Sequence, residues 1–396
     1  MQSKLSFQLK KHLFFSYIYT ACSHLCTLGV YLSIFLKFSF QDVSMVAFLL
    51  VTKSVAYFIS DIPAGILSDK IKSGYFFAIF KIIKIISLLL LLNQYYIIGI
   101  FLYGTSLSSN HGKINTYLYQ ILQQGKQSSY HKKTISHYYL FCHAVLLCSS
   151  PLALFIFKAS GDSFEALIYS SIALTALALI TLCFMPNIKN SSPSKNKPKA
   201  SVEIKNWTRN LGNLHLLING AVVYLLMWQY GNFFSTSLNA LNVSPVIIVL
   251  SRNFLFFIAT TASFFSSKIT LSLNSAQISK ILLLNVLLIC LSFLGPKYLS
   301  AAALTITLFT MPFLSSNNEA QIVSKGEKAF LHTIASTCTT ISTSINIALT
   351  LFLGYNLKHY PPATAIYISL TPLLIIILAA NLLSILDKKN KNDKTA

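Results

Sequence analysis

The stretch "SDIPAGILSDKIKSGYFF", Ser60 to Phe77, joins two long apolar runs through a very short polar turn. Asp61, Pro63 and Gly65 lead into Leu67, Ser68, Asp69 and Lys70. So tight a turn favours glycine, because a side chain there would hold the two backbones apart. Asp69 can accept hydrogen bonds from the free amides of a helix N-terminus, or pair with a cation on a neighbouring helix. Capping the helix that immediately follows is the most local of these uses.

The runs on either side belong to a series. Of 396 residues, 54% are hydrophobic and only 10% are charged, against about 25% charged in soluble domains. Apolar segments of bilayer length, about 20 residues, occur at 13–36, 43–66, 75–93, 95–119, 134–157, 163–185, 213–236, 243–266, 276–294, 298–318, 329–356 and 362–385. These twelve spans predict an all-α polytopic membrane protein. The opening "MQSKLSFQLKKHLFF" runs into a span too long for the apolar core of a cleavable signal peptide.

The net charge of +21 invites a nucleic-acid reading, but its distribution argues for topology. Threading the spans alternately puts 21 of the 31 Lys and Arg on one face and only Lys37, Lys158, Lys297 and Lys358 on the other. By the positive-inside rule the basic face is cytoplasmic, with both termini and the central loop. No nucleic-acid partner is expected. The seven cysteines all fall within spans and lack metal-binding spacing, so they read as small apolar fillers, with no metal or other cofactor.

The one long polar stretch, Pro186 to Asn210, is rich in Pro, Ser, Asn and Lys, as a solvated linker is. It divides the chain into a six-helix bundle over 1–185, a cytoplasmic linker over 186–212, a second six-helix bundle over 213–386 and a cytoplasmic tail over 387–396. The halves echo each other. "LSSNHGKI" (Leu107 to Ile114) is matched by "LSSNNEAQI" (Leu314 to Ile322), and Asp42-Val43-Ser44 by Asn242-Val243-Ser244. "HKKTIS" before span 5 has a looser counterpart in "LHTIAS" at span 11. Asp42 and Asn242 sit where N-cap residues would, with a substrate contact as the other reading.

With these residues in hand, the Gly65–Lys70 stretch resembles the loop between helices 2 and 3 of the major facilitator superfamily, G-x-L-[AS]-D-[RK]-x-G-[RK]-[RK]. Gly65, Leu67, Ser68, Asp69 and Lys70 match it, and Asp61-x-Pro63-x-Gly65 resembles the acidic lead-in of many members. Lys72, Ser73 and Gly74 depart from it, and the loop after span 8 keeps no acid. The resemblance implies two pseudo-symmetric six-helix bundles, a gating role for Asp61, Pro63, Gly65, Asp69 and Lys70, and a central cavity lined by spans 1, 4, 7 and 10.

Those four spans carry His24, Asn110, His111, Lys113, Asn219, Trp228, Gln229, Asn318 and Glu319, the candidate substrate contacts. Interhelical hydrogen bonding competes with the cavity for the Ser and Asn residues, and simple packing competes for Trp228. A charge within a span costs at least about 2.5–3.5 kcal/mol on insertion scales, so Lys53 and Arg252, each about ten residues into its span, are expected to be buried cations with a purpose. Lys81, Lys84 and Lys280 lie nearer span ends and are expected to snorkel toward water.

Cations outnumber acids inside the spans, which predicts a small anionic or zwitterionic substrate. The leading expectation is a monomeric secondary transporter of the bacterial inner membrane working by alternating access. Export of an antibiotic-, peptide- or siderophore-like compound is favoured by the exporter-like loop. Import of a metabolite or siderophore, and a non-transporting membrane sensor, are the alternatives. Glu319 and the span histidines are the only carriers on offer for a coupling proton. No nucleophile–base pair or phosphate-cradling loop supports an enzyme.

Overall fold

The computed structural model describes residues 7–25, 43–109, 112–188, 210–226, 245–269, 273–292, 297–325 and 331–393, with isolated residues between 28 and 40. All regular structure among them is helical. The helices are α1 (Phe7–His24), α2 (Val43–Lys70), α3 (Ser73–Leu92), α4 (Tyr96–Ser106), α5 (Gly112–Gln124), α6 (His131–Ala159) and α7 (Phe164–Leu182). They continue with α8 (Leu211–Tyr224), α9 (Pro245–Lys268), α10 (Ser275–Ser292), α11 (Lys297–Lys325), α12 (Leu331–His359) and α13 (Pro362–Asp393). Each expected span contains a described helix, and the fourth holds two, α4 and α5. Among the described residues, five helical segments are long and apolar enough to cross a bilayer.

A chain in hydrocarbon must satisfy its backbone within each segment, which is why helices dominate. Side-chain hydroxyls within the helices are satisfied the same way. In α1, Ser16, Thr20 and Ser23 each donate to the carbonyl four residues back, at 2.7–2.8 Å. Large apolar side chains such as Phe155, Ile180, Phe254 and Leu382 point outward, as a lipid-facing surface requires.

Two compact units emerge. The first comprises Met1–Pro193 together with Leu331–Ser336, and the second comprises Ser194–Phe330 and Thr337–Ala396. The first turns of α12 therefore belong to unit 1 and the remainder to unit 2. In unit 1, Leu49, Leu88, Leu91, Ile100, Tyr103 and Ile168 build a core between α2, α3, α4 and α7. In unit 2, Val222, Leu282, Met311, Leu353 and Leu373 do so between α8, α10, α11, α12 and α13.

The Ser60–Phe77 stretch forms the end of α2, a two-residue turn and the start of α3. The amides opening α3 are not capped by Asp69. Ser73 N–H donates to the Ile188 carbonyl at 2.9 Å, and Gly74 N–H to Asn187 Oδ1 at 3.1 Å. The short segment after α7 thus closes the N-terminus of α3.

α2 and α4 meet at Gly104, where a Cβ would collide with the Lys53 carbonyl and lie 3.0 Å from Ala56 Cβ. Gly104→Val should destabilise unit 1 by about 1–3 kcal/mol through overpacking. A lowered melting midpoint of the purified protein in detergent is the expected result, with Gly161→Val, where nothing lies within 4 Å, as the comparison for local backbone strain alone.

Candidate functional site

On α2, Asp61, Gly65 and Asp69 recur every fourth residue and so share one face of the helix. The side chains of Pro63 and Lys70 are exposed, away from that face. The stripe sets the site in unit 1.

At its first position, Asp61 is fully buried and its carboxylate forms an ion pair with Lys113 on α5, itself 1% exposed. Lys113 Nζ also lies 3.4 Å from the Asp61 carbonyl oxygen. The route by which Lys113 gets there is the polar interruption of the fourth span. After α4 the chain makes a single 3-10 turn, Leu107–Ser109, before α5 begins at Gly112. Ser108 in that turn shares a 2.7 Å hydrogen bond with Ser60, the neighbour of Asp61.

At the second position the helix comes close to the first turns of α12. A Cβ on Gly65 would sit 2.9 Å from Ser336 Cβ and 3.1 Å from the His332 carbonyl oxygen. At the third, Asp69 accepts from the His332 amide at 3.3 Å, the Thr333 amide at 3.0 Å and the Thr333 hydroxyl at 2.5 Å. These amides open α12 and have no carbonyl partner within their own helix. A carboxylate there also meets the positive end of the helix dipole. The His332 ring continues the network, with Gln120 Nε2 donating to its Nε2 at 3.2 Å.

Among the described residues of unit 2, no Asp, Glu, Lys or Arg is buried, and the buried polar contacts are between uncharged side chains and backbone. Asn219 Nδ2 donates to the Ser275 carbonyl at 2.9 Å and to His215 Nε2 at 3.2 Å. His215 Nδ1 lies 3.0 Å from Ser275 Oγ. Asn317 Oδ1 accepts from the Leu273 amide at 3.1 Å, and Gln321 donates to the Leu273 carbonyl at 2.8 Å. Asn318 is buried where α11 passes Gly220, and half-buried Glu319 accepts from Ser315 at 3.5 Å.

No family model and no curated protein matches the sequence. Similarity lies in the structure. The human organic anion transporter MFSD10 superposes with a TM-score of 0.70 at 13% identity, over 95% of this chain and 99% of its own. A bacterial homologue of the iron transporter ferroportin, outward-facing with soaked iron, gives 0.67 at 11% identity, over 97% and 100%. The major facilitator superfamily transporter FucP, in its outward conformation, gives 0.65 at 14%, over 94% and 98%. The chain has the major facilitator transporter fold.

Within this major facilitator fold, the candidates separate. Asp61 and Lys113 are brought together, although the sequence assigns one to gating and the other to substrate. Asn219 is engaged by His215 and Ser275. His24 and Lys53 are half-buried. Asn110, His111, Trp228 and Gln229 lie outside the described residues, as does the side chain of Arg252 on α9. The expectation that Lys81 and Lys84 snorkel is corrected: they are 1% and 3% exposed and face the interior of unit 1, whereas Lys280 is exposed. Thr333, His332 and Gln120 carry no chemical motif of their own in the sequence; the signal that points toward the first two is the "LHTIAS" echo, Leu331 to Ser336.

Breaking a buried ion pair on one side strands a charge, at about 3–5 kcal/mol, whereas replacing both partners by apolar groups is often neutral. Asp61→Asn and Lys113→Met should each lower the melting midpoint strongly. The double variant Asp61→Leu/Lys113→Met should recover most of the loss. Additive losses in the double variant would refute the pairing.

Proposed function

We propose that this protein is a secondary transporter that moves a small organic anion or zwitterion across the bacterial inner membrane by alternating access, with export as its direction. The observation that carries the substrate class is the balance of buried charge in unit 1. Among the described residues, Lys81, Lys84 and Lys113 are buried there against only Asp61 and Asp69. A low-dielectric interior with surplus positive charge favours a ligand that supplies the missing negative charge. The naming of MFSD10 as an organic anion transporter agrees with this reading. Lys113 adds little to that surplus, because Asp61 offsets its charge.

Reconstituted proteoliposomes provide the test. Entrapped carboxyfluorescein should leave faster than from empty liposomes, while the hydrophobic cation ethidium should not. Movement of ethidium alone, with Lys53→Ala and Arg252→Ala silent, would overturn the anion assignment. Binding without flux of either probe would favour the sensor reading. Inverted and right-side-out vesicles then separate export from import.

The membrane orientation rests on the 21 Lys and Arg gathered on one face. Fluorescent protein fused after Ala396 should fluoresce, as a cytoplasmic C-terminus requires. Alkaline phosphatase inserted at Gly161, beside Lys158, should be active outside. The opposite pattern would invert the topology.

A further inference from the structure

The chain leaves unit 1 for unit 2 after Pro193 and again after Ser336. Ahead of each departure, a segment is fastened to the same turn between α2 and α3. At one end of that turn Asp69 holds the His332 and Thr333 amides at the start of α12. At the other end the amides opening α3 are held by Pro186–Ile188, the first residues of the central linker. Ser73 N–H donates to the Ile188 carbonyl at 2.9 Å, and Gly74 N–H to Asn187 Oδ1 at 3.1 Å. The fastening is returned from the other side. Ile188 N–H donates to Ser73 Oγ at 3.0 Å, and Ser73 Oγ donates to the Pro186 carbonyl at 3.4 Å. The Tyr117 hydroxyl on α5 donates to the same carbonyl at 2.9 Å. The Ile188 side chain is buried, which adds an apolar anchor. Only Ile71 and Lys72 separate α2 from α3, so a movement at one fastening is passed to the other.

We infer that Pro186–Ile188 is a strap whose seating on α3 is coupled to the hold of Asp69 on α12. The linker is fast while that hold is made and loosens when it breaks. The Ser73 amide meets Ile188 only while α3 keeps its angle to the end of α2, and Asp69 reaches α12 from that same end. Withdrawal of Asp69 therefore weakens the seat of the strap, and by linkage a loosened strap weakens the hold of Asp69. Neutral hydrogen bonds of modest strength fasten the strap, so it can leave and reseat without stranding a charge. Ser73 and Tyr117 act here as positioning residues for the linker. The inference goes beyond the transport reading, because it needs neither the class of solute nor the direction of movement.

Trypsin cleavage of the full chain in detergent tests the strap. Cutting after Lys189 requires Pro186–Ile188 to leave α3 and lie extended in the protease, so its rate follows the population of released strap. Cutting after Lys195, further along the linker, does not involve those residues and serves as the internal standard. In the unaltered protein Lys189 should be cut more slowly than Lys195. Ser73→Ala and Tyr117→Phe leave the cleaved sequence unchanged. Each should raise the Lys189 rate about fivefold, the scale of one hydrogen bond, with the Lys195 rate unaltered. Asp69→Asn should raise the Lys189 rate as well. Conversely, hydrogen exchange over Leu331–Ser336 should quicken in Ser73→Ala. Equal cutting at both lysines in the unaltered protein, or a Lys189 rate unmoved by Ser73→Ala and Tyr117→Phe, would overturn the strap. A rise at both lysines together with a lowered melting midpoint would mark general unfolding and count equally against it. Acceleration by Ser73→Ala and Tyr117→Phe without any response to Asp69→Asn would reduce the strap to a fixed cap on α3 and refute the coupling. None of these readouts measures flux, so a failure of transport in proteoliposomes and a failure of the strap are separate results.

Discussion

Charge inside hydrocarbon has to be compensated, and the arrangement of unit 1 follows from that constraint. Asp61 is fully buried, and its charge is met by Lys113, which follows the point where the fourth span leaves α-helical geometry. The 3-10 turn at Leu107–Ser109 is that point, and the Ser60–Ser108 hydrogen bond fixes it beside the carboxylate. Asp69, two helical turns further along the same face, has a different remedy. It is compensated by the dipole and free amides at the start of α12, which places Leu331–Ser336 with unit 1 although the rest of that helix belongs to unit 2. Gly65 lies between the two aspartates because the close approach leaves no room for a Cβ.

The twelve spans were legible in the sequence because hydrophobic length is a one-dimensional property. The azimuth of each helix was not. In a soluble protein an apolar stripe marks the buried face, but a membrane helix is apolar on its lipid face as well, so that periodicity flattens. In α3 the buried residues Ser73, Phe76, Phe77, Phe80, Lys81, Lys84, Ser87, Leu88 and Leu91 form one stripe. Exposed Ile79, Ile82, Ile86 and Leu89 form another that is more apolar. The polar residues, not the apolar ones, mark the inward face. Depth alone therefore sends Lys81 and Lys84 to water, whereas their spacing with Ser73 and Ser87 sends them inward. The partnership of Asp69 with Thr333 spans more than 260 residues, and no local pattern encodes it.

The two halves meet the same structural need with different chemistry. Ser60 bonds Ser108 at 2.7 Å in unit 1, and Ser266 bonds Ser316 at 3.5 Å in unit 2, each tying the second span of its half to the fourth. The repeated "LSSN" thus carries an interhelical hydroxyl contact in each half. Beyond these serines the halves diverge. The last turn of α2 has Asp69, while the turn before α10 has no acid and is held by Asn317 and Gln321 on the backbone of Leu273.

That difference follows from what each group costs when a contact opens. A neutral amide released from its partner loses about 1–3 kcal/mol if it stays buried, and a stranded charge loses more. A charged contact therefore opens only together with a change that hydrates or re-pairs it, whereas an amide contact can yield more gradually. Unit 1, holding Asp61, Asp69 and three buried lysines, is the half in which opening a contact carries that penalty. Unit 2, with His215, Asn219 and Ser275 linked through neutral hydrogen bonds, has no comparable penalty among its described residues. The asymmetry written into the sequence after Asp69 thus goes with charged contacts in the first half of the chain and neutral ones among the described residues of the second.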